Sequence, residues 1–339
     1  MKKTSRIIAI IVLVLLLSVT SIVMFACGKE ENTAQYTAEI QYINQGTEAI
    51  SALKAGTAKF AVLGEPAATM AGTNANAIYR IDLQSEWKKA TGFDGYPQAS
   101  TIAKNDIIEN HSAFLSKFLA EMQANVAWIV ENASQINPIL ARYDSTSKFP
   151  SANIIQNCNI RFEAAANAKA SVLKYLEIMS SFDKTFVGET LPNDAFFSSI
   201  TPDRNAAIPA QAETKEIHVY VPDGAPALAI AKLLNESNFE GYSVTYTIVP
   251  GAQEISAAIA NGSADIAILP TNLAAKLYGM GKPIKLVSSN VFGLLYLVGT
   301  EEIADFSKLD QQKILCTGQG GTPDFVLKYI LSQNNVSIQ

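Results

Sequence analysis

Two turns carry the residues best suited to binding. Thr317-Gly318-Gln319-Gly320-Gly321-Thr322 leads into Pro323 and an apolar run with helical spacing. Small residues let backbone N–H groups approach a ligand, Thr322 is placed to cap the helix, and Pro323 suits its first turn, so an anion could sit at that N-terminus. Pro222-Asp223-Gly224-Ala225-Pro226 repeats the plan upstream. The alternative for both is a tight strand-to-helix turn without a ligand. Glu65, ahead of Pro66, could accept a hydrogen bond or pair with a cation, or simply place a carboxylate at a helix start. No reaction centre is visible. His111 and His218 are the only histidines, neither has a carboxylate or cysteine at metal spacing, and GxSxG, HExxH and CxxC are absent. The Gly318, Gly320, Pro323 spacing lacks the last glycine of a dinucleotide fingerprint, and Gly279-Met280-Gly281-Lys282 lacks Walker spacing. The expectation is binding without catalysis, cofactor or metal.

Such turns need a scaffold, and the chain supplies one twice. Thr47 to Thr69 reads as a helix stopped by Gly56, an apolar strand from Phe60 to Leu63, and the loop Gly64-Glu65-Pro66. The run from Glu254 to Asn272 repeats it: Gly56 matches Gly262, Ala58 matches Ala264, Ala61 matches Ala267 and Leu63 matches Leu269, all at 262 − 56 = 206 residues. A glycine there can turn left-handed without Cβ strain and end the helix. Two copies predict two similar α/β lobes. The later copy follows a strand (Ile217 to Val221), a turn, a helix starting near Pro226 and a strand (Tyr242 to Val249). The earlier copy has only the strand Ala38 to Ile43 before it. Its missing strand and helix stand at the far end, Lys313 to Thr317 and Asp324 to Ser332. The order predicts a circularly permuted chain.

From Lys215, strands Ile217–Val221, Val244–Val249, Ile266–Leu269, Ile284–Ser288 and Gly293–Gly299 alternate with helices starting near Ala225, Gln253 and Asn272. That rhythm implies a mostly parallel sheet covered on both faces. From Glu109 the pattern is helical for about a hundred residues, with Phe114, Leu115, Phe118, Leu119, Met122, Val126 and Ile129 forming one core stripe. Ile136 to Tyr143, Ala152 to Gln156, Ala164 to Ser180 and Ala195 to Ile200 are further helical candidates. Ala77 to Leu83 reads as a strand, and Trp87 and Tyr96 fall in a looser segment. Crossings between lobes are expected at Gln98–Ala103 and Glu301–Gln312. Ser199 to Thr214 is Pro/Ala-rich and polar, a linker. The expected bodies are residues 38–97 with 306–339 (lobe II) and 98–199 with 216–305 (lobe I), joined by the linker 200–215.

Ligands of open α/β sheets bind beyond the carboxyl ends of the strands. This selects Asp223, Gly224, Ala225 and Pro226; Thr271 and Asn272; Ser289, Asn290 and Phe292; Gly320, Gly321 and Thr322; and Gly64 with Glu65.

At the N-terminus, Lys2, Lys3 and Arg6 precede an apolar run from Ile7 to Ala26, then Cys27 and Gly28. Charge and core are those of a signal peptide over residues 1–26, while a run of this length could also stay as a membrane anchor. Met24-Phe25-Ala26-Cys27 resembles a bacterial lipobox, with Met for the usual Leu and Phe where a small residue is usual; Cys27 is then the lipidated residue and 27–37 a tether. Losing the three leader cations takes the net charge from −5 to −8, which argues against a nucleic-acid partner. Cys158 and Cys316 could pair in an exported protein, but lone buried thiols fit better because Cys316 ends a core strand.

Taken together, these features resemble the substrate-binding lipoprotein of a bacterial ABC importer, in the nitrate, sulfonate and thiamine-precursor group. Glu48 to Gly56 with Gly64-Glu65-Pro66-Ala67 resembles that group's second-lobe signature, and Gly262-Ser-Ala-Asp265-Ile-Ala-Ile-Leu-Pro270 its first-lobe signature. Leu191-Pro192-Asn-Asp-Ala-Phe196-Phe197 resembles its usual C-terminal end. The likeness covers nearly all of residues 38–339, with the order changed: the family would run 216–339 and then 38–200. It implies a two-lobed periplasmic-binding-protein-like (type II) α/β fold that binds a small anionic or polar heterocyclic molecule between its lobes. It also implies delivery to an ABC permease and ATPase by a monomer, lipid-anchored on the outer face of the cytoplasmic membrane. A non-transporting sensor or binding module, or a non-functional rearranged gene, are the alternatives.

Overall fold

The computed structural model describes residues 34–210 and 213–339. The leader, the lipobox and Cys27 lie outside the described residues. Residues 36–339 form one compact unit built on two sheets.

The first sheet uses both ends of the chain. Its strands are β1 (Tyr36–Ile43), β2 (Phe60–Gly64), β3 (Tyr79–Asp82), β10 (Leu295–Gly299), β11 (Gln312–Thr317) and β12 (Val336–Ile338), in the order β12-β1-β11-β2-β10-β3. β11 runs parallel between β1 and β2, pairing Tyr42 with Cys316 on one side and Val62 with Cys316 on the other. The second sheet holds β4 (Ala99–Lys104), β5 (Ile160–Ala164), β6 (Lys215–Pro222), β7 (Tyr242–Val249), β8 (Ile266–Pro270) and β9 (Ile284–Val291), ordered β5-β9-β4-β8-β6-β7. There β6 runs parallel between β7 and β8, the place that β11 takes between β1 and β2.

The repeat read from the sequence is a repeat of structure. β1, the helix α1 (Gly46–Ala55) and β2 begin at residues 36, 46 and 60; β7, the helix α11 (Ala252–Ala260) and β8 begin at 242, 252 and 266. Gly56 and Gly262 both adopt positive φ, 70° and 81°. The backbone there points away from the helix and delivers the next strand to the middle of its sheet, a conformation only glycine takes without cost.

Helices cover both faces of each sheet. On the outer face of the first, α1 and α2 (Ala67–Ala75) bury Ala49, Leu53, Ala68 and Ala71 against Leu63 and Val298. On its inner face lie α3 (Leu83–Thr91) and α13 (Thr322–Gln333). The far face of the second sheet is packed by α4 (Asn105–Asn110), α5 (Ser112–Glu131), α6 (Ala133–Ala141), α7 (Ala152–Asn157), α9 (Ala225–Leu228) and α10 (Ala231–Asn235). α8 (Ala165–Phe182), α11 and α12 (Thr271–Gly279) cover its near face. One apolar core runs unbroken from Phe60, Val62 and Leu327 of the first layer to Ala267 and Leu286 of the second.

Several expectations need correction. The strand 295–299 belongs to the first sheet, antiparallel to β2 and β3, so the chain crosses at Phe292–Leu294 and not at Glu301–Gln312. Both sheets are mixed with a parallel majority: in the first only β10 runs against the other strands, and in the second β4 and β5 do. A strand entered directly from the other layer starts from the opposite end: β4 runs against β8 and β9, as β10 does against β2 and β3. Trp87 sits in α3 and is buried at 1% exposure; Asp82 caps this helix by accepting from the N–H groups of Gln84 and Ser85. β5 interrupts the long helical stretch. The helix expected over Ala195–Ile200 is only a turn of 3-10 helix at Asp194–Phe196. Cys158 and Cys316 are both free and buried.

Candidate functional site

A cavity of about 220 Å³ lies between the two layers. Asp82, Gln84 and Ser85 at the start of α3 and Tyr296 of β10 supply one wall; Gln156, Asn157, Asn159 and Arg161 of the α7–β5 corner supply the other, with Asp94 beside them.

Each wall is fixed by its own hydrogen bonds. Gln84 accepts from the Leu295 N–H at 2.9 Å and from the Tyr96 hydroxyl at 3.0 Å, which locks α3 to β10. Opposite, Asn159 turns through positive φ, 51°. Its amide donates to the Phe292 carbonyl at 2.6 Å and its Oδ1 accepts from Arg161 Nε at 2.9 Å. Arg161 Nη1 reaches the Asp94 carbonyl at 2.7 Å and its carboxylate at 3.1 Å. The guanidinium is thus held at the cavity edge, 5.3 Å from the Phe292 ring centroid.

Beside the cavity the layers are tied by Glu65, whose side chain is fully buried. Its carboxylate accepts from Thr69 N at 3.1 Å, Thr69 Oγ1 at 2.9 Å, Arg80 Nη2 at 3.0 Å and, from the other layer, Asn157 Nδ2 at 3.1 Å. Arg80 also lies 3.7 Å over the Tyr296 ring, and the Tyr296 hydroxyl donates to the Asn157 carbonyl at 3.2 Å. Burial, with the Asp82 charge next, pushes this phenol up to about 12, so it stays a donor. The cavity therefore offers one guanidinium, two carboxylates, four amide side chains and a phenol: groups that orient a small polar molecule by hydrogen bonds. Its one hydroxyl nucleophile, Ser85, points its proton at Asp82 Oδ2 (3.2 Å), with no histidine among the cavity residues.

Only Glu65 and Phe292, among the residues expected from the sequence, stand at this place. The glycine turn Gly318–Gly321 is closed on itself: Gly320 N–H donates at 2.8 Å to Asp324, which is 1% exposed and also takes Tyr42 and Lys328. The turn's own carboxylate thus occupies the position expected for an anion. Thr322 is the first residue of α13 rather than its cap, and its hydroxyl meets that of Tyr175 across the layers at 2.8 Å. Asp223 is spent on the loop after α6, accepting from Ser145 Oγ, Thr146 N and Oγ1, and Ser147 N. Gly224, Ala225 and Pro226 follow it into α9.

Thr271 and Ser289 are buried and joined through Ser100, at 2.8 and 2.9 Å, while Asn290 takes Thr101 at 2.6 Å. These hold β4, β8 and β9 together. Asn272 donates to the Phe186 carbonyl at 3.2 Å, and the Gly64 N-terminal neighbour of Glu65 pairs with Leu295. None of the nine residues lining the cavity was expected from the sequence, nor was Arg80 beside it. One signal was present for Arg80, a cation on a strand close in sequence to a carboxylate destined for burial. The α7–β5 corner carried none, because β5 was hidden in a helical stretch.

Neither a protein-family model nor a curated protein matches this chain.

Proposed function

We propose that the protein is an extracytoplasmic solute-binding receptor of an ABC importer, and that its ligand bridges the two layers. The observation carrying this reading is the polar cavity walled by both layers, next to a buried carboxylate that takes hydrogen bonds from each. A ligand touching both walls favours the closed arrangement, so binding moves an open–closed equilibrium that a permease can sense. A periplasmic-binding-protein-like architecture in circularly permuted order is part of the proposal. Its support is the equivalence of β1-β11-β2 with β7-β6-β8, in which β11 and β6 play one role while lying at opposite ends of their repeats. The linker 200–215 joins what would be the termini of the unpermuted order, and its described part, 200–210, is non-helical. Lipidation at Cys27, attachment to the outer face of the membrane, a permease and ATPase as partners, and a monomeric state belong to the same proposal.

A thermal-shift screen of residues 34–339 against small anions, sulfonates and pyrimidines tests it. A ligand raises the melting temperature in proportion to RT ln(1 + [L]/Kd), and Arg161→Ala abolishes the rise. A flat response to every class refutes the receptor reading.

A further inference from the structure

A second pocket, of about 470 Å³, lies on the second layer and shares no residue with the cavity between the layers. Its floor is Phe239, 6% exposed and packed edge-on against Phe114 at 5.1 Å. Around this apolar floor stand Lys117, Arg204 and Lys232, opposed by Glu121 and Glu236. In a chain of net charge −5, three cations against two carboxylates leave one positive charge in excess here, and Lys232 also lies 3.8 Å from Glu236.

The arrangement is built rather than incidental. Glu121 spends one oxygen on Lys232 at 2.5 Å and the other on Arg204 at 3.3 Å, which sets both cations at the rim. Lys232 is held from behind, its backbone N–H donating to the buried Asn125 at 2.8 Å. Lys117 has no carboxylate partner among the described residues. Arg204 belongs to the stretch expected to be a free linker. That stretch is pinned to α5: Ser116 Oγ donates to the Thr201 carbonyl, and Asp203 N–H donates to the Ser116 carbonyl at 3.1 Å. The connection thus forms one wall of the pocket.

We propose that this pocket binds a small organic anion, its apolar body on Phe239 and its charged head among Lys117, Arg204 and Lys232. An apolar floor with a cationic rim selects against inorganic anions, which gain nothing from Phe239, and against neutral rings, which leave Lys117 unpaired. Neither layer has to move, so this binding is independent of the cavity between the layers.

Titration calorimetry of residues 34–339 at low salt, with phenyl phosphate as probe, tests the proposal. Phenyl phosphate binds more tightly than inorganic phosphate or benzyl alcohol. Lys117→Ala and Arg204→Ala each weaken it about tenfold, the effect of losing one charge-assisted hydrogen bond. Glu236→Gln tightens it by about two- to threefold, since a like charge leaves the rim; a residue with a merely structural part would not give that sign. Lys54→Ala, on the exposed side of α1 and outside both cavities, leaves the affinity unchanged. Absence of heat at millimolar phenyl phosphate overturns the proposal, as does binding insensitive to Lys117→Ala and Arg204→Ala in variants that retain the wild-type melting temperature.

Discussion

Glu65 should be the costliest single side chain to remove at the junction of the layers. Its carboxylate takes four donors, and its ion pair with Arg80 spans 3.0 Å with Glu65 fully buried and the Arg80 side chain 33% exposed. Removing one partner of a buried pair costs ~3–5 kcal/mol, because the other charge is left without compensation. Arg80 can recover some hydration through its exposed third, which brings the expected cost of Glu65→Ala to about 3 kcal/mol. Glu65→Gln keeps the shape and one acceptor but turns an N–H₂ toward donors already in place, and should cost about 1–2 kcal/mol. Asn157 donates to the same carboxylate from the other layer, so Glu65→Ala and Asn157→Ala should be non-additive, with a coupling of about 1 kcal/mol. Urea unfolding of residues 34–339 measures all of these from midpoints at constant slope. A cost below about 1 kcal/mol for Glu65→Ala refutes the buried ion pair. Zero coupling with Asn157 means the carboxylate serves the first layer alone.

Three further perturbations have expected outcomes. Burial pulls Asp223 upward, but hydrogen bonds from Ser145, Thr146 and Gly224 outweigh it and bring the carboxyl down to about 2. A depressed carboxyl stabilises the fold above its unfolded value and loses that contribution as pH falls. The stability difference between wild type and Asp223→Asn should therefore be constant above pH ~5 and shrink between pH ~4 and ~2 in pH-dependent urea titrations; a pH-independent difference counts against the assignment. Gly95 has φ 83°, and an added Cβ would sit 2.3 Å from the Phe292 carbonyl oxygen, so Gly95→Ala should destabilise by about 2–3 kcal/mol in the same unfolding assay. Burial pushes the Cys316 thiol up to about 12 and also raises Cys158; iodoacetamide at pH ~8 should leave both unmodified in the native state and label both in urea, and native labelling would contradict their burial.

The sequence made the repeat legible because it was written in backbone requirements. A glycine at the end of a helix and a four-residue apolar strand recur at one spacing, and the structure places both copies in equivalent positions in their sheets. The neighbourhood of β11 with β1 and β2 followed from the same bookkeeping of missing elements. What was not legible depended on contacts between segments. Leu295 to Gly299 is apolar throughout, and such a run fits the middle of either sheet; only the short crossing at Phe292–Leu294 decides, and it lacks linker composition. The glycine turn looked like an anion site because its donors are visible in sequence, whereas the carboxylate that occupies it, Asp324, reads as an ordinary first-turn helix residue. Asn157 and Arg161 became cavity residues only because a five-residue strand turns a helical stretch toward the other layer.

Trp87 offers the most direct test of the central claim, that a small molecule bound between the layers moves them. Its ring lies 5.2 Å from Tyr329 on α13 and 6.2 Å from Tyr175 on α8, so it reports on the packing of one layer against the other. In Trp128→Phe it is the sole tryptophan, since the chain has two. Titrating this variant with small anions, sulfonates and pyrimidines should give a saturable change in emission with one of these classes, lost when Asn157 and Arg161 are replaced by alanine. Emission that stays constant across all of them, or that changes equally in the alanine variant, would contradict it.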